Sequence, residues 1–165
     1  MIREVLPQVT LFTAEETARL ETAHKTFLAN MSTLSDLEYR KEMERLGVDL
    51  SWKSSQIEGN TYSLLETERL LKEKETAQGK TKEEAVMLLN HKDALDFILD
   101  CPDYLKTLSV RRLEDIHCIL TKELGVGNGI RKRRVGITGT NYRPLDNEFQ
   151  IREALEDTCQ LINGK

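Results

Sequence analysis

The sequence predicts a mainly α protein interrupted by one short β-hairpin. Three observations carry that prediction: repeated S/T-x-x-E capping boxes, apolar residues recurring at helical spacing, and one glycine-broken stretch that alternates large with small residues. Thr13 with Glu16, Ser35 with Glu38, Ser63 with Glu66 and Thr81 with Glu84 each set a hydroxyl three residues ahead of a carboxylate. Such a pair satisfies two orphan amides at a helix N-terminus, so a helix is expected to start at each.

Periodicity agrees with the caps. Leu20, Ala23, His24, Phe27, Leu28 and Met31 lie on one face of the first helix, and Ala85, Leu88, Leu95 and Ile98 or Leu99 on one face of another. Leu113, Ile116, His117, Leu120 and Leu124 make a third stripe, with Ser109 as its expected N-cap and Gly125 as its stop. Ile151, Leu155, Cys159 and Ile162 make the last, opened by Asp146 or Asn147 and closed by Gly164. Each stripe is expected to be buried. Between them, Val135-Gly136-Ile137-Thr138-Gly139-Thr140-Asn141-Tyr142 suits a two-stranded hairpin that must lean on the helices, because such a ribbon is marginal alone.

A chain of 165 residues with 39% hydrophobic and 32% charged residues has enough apolar material for one globular core. Its formal charge of -4 and pI near 5.5 argue against a broad basic face, so no specific nucleic-acid partner is expected. No apolar run nears the roughly 20 residues that span a bilayer, and MIREVLPQV lacks the pattern of a leader; no membrane partner and a cytoplasmic location are expected. Cys101, Cys118 and Cys159 are odd in number and widely spaced, which reads as reduced thiols, mostly buried.

Few chemistries fit the inventory. His24, His91 and His117 are the three histidines, none in an H-E-x-x-H setting, and there is no C-x-x-C, P-loop or G-x-G-x-x-G, so no metal or catalytic residue is assigned. His24 and His117 lie on apolar stripes and read as core histidines hydrogen-bonded to a neighbour; His91 can be read the same way. Arg131 to Arg134 reads either as a solvated basic turn or as a cluster that attracts phosphates or an acidic target loop.

Ser54-Ser55-Gln56-Ile57-Glu58-Gly59-Asn60-Thr61 resembles the inhibitory motif [S/T]-x-x-x-E-[G/N] of Fic proteins, placed ahead of the catalytic core. Further motifs come after it in that family's order. Leu89-Asn90-His91-Lys92-Asp93-Ala94-Leu95 looks like its N-x-x-A-[LM] helix, and Leu113 to His117 like the helix before its flap. Arg131-Lys132-Arg133-Arg134-Val135-Gly136-Ile137-Thr138-Gly139 looks like the flap, R-x-x-x-V-x-I-x-G. The resemblance runs from about Ser51 onward, so residues 1–50 are expected to be a helical leader and residues 51–165 the N-terminal part of a Fic-like helical bundle.

The resemblance implies a function and a set of site residues. Family proteins transfer AMP from ATP, with magnesium, to a hydroxyl of a target protein. Their chemistry sits in a loop H-x-F-x-[D/E]-G-N-G-R-x-x-R, and this sequence stops at Lys165 before that loop would begin; the expectation is a bundle incomplete at its C-terminal side and inactive alone. Gly127-Asn128-Gly129 does not replace the loop, because Val126 stands where a metal-binding carboxylate belongs. Ser54, Glu58 and Gly59 are implied to be inhibitory, with Glu58 pairing an arginine of the catalytic loop in place of the ATP γ-phosphate. Val135, Ile137, Thr138, Gly139 and Thr140 are implied to line the nucleotide site and to offer backbone groups to an extended target segment. Two functions remain open. One is the front part of an adenylyltransferase, whose uncovered apolar faces could also drive homo-oligomerisation; the other is a non-catalytic module that supplies the inhibitory helix to a partner Fic protein.

Overall fold

The structure is a computed structural model and describes residues 9–164. The reading of MIREVLPQV as leaderless therefore falls, Val9 apart, outside the described residues. Seven helices form among them: α1 (Ala14–Ser32), α2 (Asp36–Ile57), α3 (Leu64–Glu73), α4 (Lys82–Asp100), α5 (Pro102–Leu105), α6 (Val110–Leu120) and α7 (Glu148–Asn163). The protein is mainly helical. Among the described residues no helix is long and apolar enough to cross a membrane.

All four capping boxes close. The Thr13, Ser63 and Thr81 hydroxyls accept from the amides of Glu16, Glu66 and Glu84, and each glutamate accepts in return from its N-cap amide. At α2 the Ser35 amide donates to Glu38 at 2.9 Å and the Glu38 amide to Ser35 Oγ at 3.4 Å. Ser109 caps α6, and of the two candidates at α7 it is Asn147 that accepts, from Phe149 and Gln150. α6 ends at Leu120, and Gly125 (φ +67) lies in the irregular turn beyond it.

The chain divides into two compact units, residues 1–46 and 47–165, with α2 crossing the division. In the first unit α1 has no buried residue: Leu20, Phe27 and Leu28 are each more than half exposed, and His24 is exposed. This corrects the buried stripe expected there. The only other helical material described in that unit is the first half of α2, too little to cover a 19-residue face.

The second unit is built around α4, which packs on α3, α5 and α6, while α6 packs on α7. Its core is Tyr62, Leu70, Ala85 and Leu88, with Ala77 and Leu89 against it. Burying Leu70 and Leu88, at 1% and 0% exposure, contributes about 1.5–3 kcal/mol each. Asn90, buried in α4, donates to the carbonyls of Leu120 at 3.1 Å and Lys122 at 2.7 Å, satisfying orphan acceptors at the end of α6. The stripes of α6 and α7 are only half-buried, apart from buried Cys159, and Ile162 is exposed. The thiols are free, but Cys118 is exposed and Cys101 only half-buried, against the expectation that most would be buried.

The expected hairpin is not formed, and no strand occurs among the described residues. A turn is present at Thr138–Gly139, with Gly139 at φ +80, but no backbone ladder joins its limbs. Side chains close the loop instead: Arg131 donates to the Leu145 carbonyl, and Arg134 pairs with Asp146 at 2.8 Å. Val135 and Ile137 are about half exposed, so the ribbon lacks the apolar support that a two-stranded unit requires.

Candidate functional site at the C-terminal turn of α2

α2 ends where the motif predicts a stop. The Asn60 amide donates to the Ser55 carbonyl at 2.9 Å and the Gly59 amide to the Gln56 carbonyl at 3.1 Å, which together make a Schellman motif with Glu58 as its cap residue. Gly59 has φ +91, and a Cβ there would meet nothing within 4 Å, so glycine is required for its backbone angle and not for space.

Beyond the turn, Asn60 and Thr61 are pinned to the N-terminus of α4. Asn60 Nδ2 donates to the Glu84 carbonyl at 2.8 Å, and Asn60 Oδ1 accepts from the Tyr62 amide at 3.0 Å. The Thr61 amide and hydroxyl donate to Glu84 Oε1 at 2.8 and 2.6 Å, while Glu84 Oε2 accepts from Thr81. One carboxylate thus caps its own helix and ties down the segment after Gly59. The Thr61 hydroxyl above all, then the Thr81 and Thr61 amides, hold its pKa down at about 2.

On this frame Glu58 and Ser54 are exposed, and the Glu58 carboxylate makes no hydrogen bond or ion pair among the described residues. Ser54 and Glu58 do not bond each other. The neighbouring Ser55 is the buried serine, at 0% exposure, and its hydroxyl lies 2.9 Å from Nδ1 of half-buried His91 on α4. Burial pushes the His91 pKa below its usual value, opposed by a hydrogen bond with the Ser51 backbone and by the Glu58 charge. His91 is therefore the hydrogen-bonded histidine that its helical position allowed.

The residues expected at the flap, Val135, Ile137, Thr138, Gly139 and Thr140, are all exposed, and no hydrogen bond or ion pair among the described residues links them to Glu58 or Ser54. The basic run is partly committed to its own loop, Arg131 to Leu145, Lys132 to Glu148 at 3.6 Å and Arg134 to Asp146. Behind it, Leu113, His117, Ile130, Ile151 and Leu155 line an open groove of about 400 Å³ between α6 and α7. His117 Nδ1 is buried there without a partner among the described residues, contrary to the bonded core histidine expected.

Sequence reasoning missed the Ser55–His91 bond and the double duty of Glu84. The first joins residues 36 apart and the second residues 23 apart, and neither separation leaves a local pattern. Comparison with protein-family models, with curated proteins and with solved structures finds no significant match to this chain.

Proposed function

We infer that the chain carries the inhibitory segment of a Fic-type protein adenylyltransferase, with Glu58 as the carboxylate that occupies the place of the ATP γ-phosphate on an arginine. The observation that supports this most is the presentation of Glu58: an exposed carboxylate, unpaired among the described residues, on the cap residue of a rigid turn that continues into Gly59 and is tied down by Asn60 and Thr61. A guanidinium bound bidentately by that carboxylate cannot also serve a phosphate.

The residues of this chain do not by themselves suit ATP and magnesium. Gly127-Asn128-Gly129 is not the family's loop, since Val126 stands where its metal-binding carboxylate belongs. AMP transfer is accordingly assigned to a Fic catalytic loop acting with this chain. The open groove between α6 and α7 favours a loop and helices packing there over a self-sufficient regulatory module. Residues 135–140, exposed and without ladder bonds, offer backbone groups to an extended target segment, which would supply the missing strand partner.

The test uses a chain extended through an H-x-F-x-[D/E]-G-N-G-R-x-x-R loop. Glu58→Gly should raise AMP transfer at least about tenfold, the equivalent of one charge-assisted hydrogen bond. Unchanged transfer rejects the inhibitory role. The same chain lacking the loop, added in trans to a Fic enzyme deprived of its own inhibitory glutamate, should inhibit only if the module reading holds.

A further inference from the structure

Glu58 is presented by a turn that hangs on the last residues of α2. The Ser55 carbonyl accepts from both the Glu58 amide at 3.1 Å and the Asn60 amide at 2.9 Å, so the position of Ser55 sets the turn. Ser55 is in turn held by His91 on α4, whose Nδ1 lies 2.9 Å from the buried hydroxyl. His91 thus ties the last turn of α2 to α4. Beside it, Gly47 allows Lys92 to lie against α2, where a Cβ would come within 3.3 Å of the lysine Cε.

We propose that His91 is the positioning residue of Glu58, fastening the carboxylate-bearing turn to α4 so that a change in α4 or in the charge of the ring redirects the carboxylate. Glu58 is the charged group that bears on the ring from α2; on α4 itself the nearest charges are Lys92, paired with Asp96 at 2.5 Å, and Asp93. A neutral His91 holds Ser55 and leaves Glu58 open to a guanidinium. A cationic His91 attracts Glu58 and competes for it. What Glu58 is for rests on the function proposed above, whereas the clamp exists or fails independently of it.

The experiment uses the full 165-residue chain, observed by NMR and amide hydrogen exchange. In His91→Asn the amides of Gly59 and Asn60 should exchange about tenfold faster, the loss of one hydrogen bond, while those of α6 keep their rates. Glu58→Gln should shift the His91 titration to lower pH. Ser55→Ala, which deletes only the hydroxyl, should reproduce the faster exchange and serves if His91→Asn does not fold. Unchanged exchange in a folded variant, or a His91 titration indifferent to Glu58→Gln, overturns the clamp. Neither result touches the AMP-transfer test, so the two readings fail separately.

Discussion

Glu84 shows how much one half-buried carboxylate can organise when its partners are backbone and hydroxyl donors. It accepts from Thr61 and Thr81, and its pKa falls to about 2 from the usual carboxylate value of 4.5. Because the folded value lies below the unfolded one, the stabilisation is complete above about pH 4.5 and disappears as the pH falls through about 2. Urea midpoints measured from pH 6 to pH 2 should therefore drop more steeply in the native protein than in Glu84→Gln. Parallel curves would mean that Glu84 does not distinguish the folded chain. His91 acts in the same sense at higher pH: its lowered value makes it stabilising when neutral and costly when acid forces a proton onto it.

Helix boundaries were legible because a cap is a local event. Thr13, Ser35, Ser63, Thr81 and Ser109 each find a partner three residues on, and no tertiary contact is needed for that. The stop at Gly59 was legible for the same reason, since a left-handed residue after a helix favours glycine whatever packs nearby. Gly59→Ala should cost about 1–2 kcal/mol, the strain of a Cβ in that region, with no clash to add to it. Equilibrium urea unfolding measures this, and a loss near zero would mean that the turn re-forms with another residue at its left-handed position. Burial was not legible in the same way. The stripes of α1 and of α4 look alike in sequence, yet Leu88 is fully buried and Phe27 half exposed, because burial depends on which helix arrives opposite. The candidate site divides along the same line: Glu58 and Gly59 could be placed from spacing, whereas the partner of Ser55 lies on another helix.

Across the whole molecule, stability should be concentrated after residue 46. Tyr62, Leu70, Ala85 and Leu88 form the core, and Asn90 locks α4 to the end of α6, whereas α1 buries none of its side chains. Helices draw most of their stability from a packed apolar face, and α1 buries no residue, so it adds little free energy of its own. Its exposed Leu20, Phe27 and Leu28 nevertheless present apolar surface. A variant lacking residues 1–34 keeps α2 and its Ser35 cap whole, and should keep the unfolding free energy of the full chain, measured in urea, to within about 0.5 kcal/mol, the range for changes remote from a core. It should also bind less of a dye that reports apolar surface. An unfolding free energy lowered by several times that amount would overturn the placing of the protein's stability after residue 46.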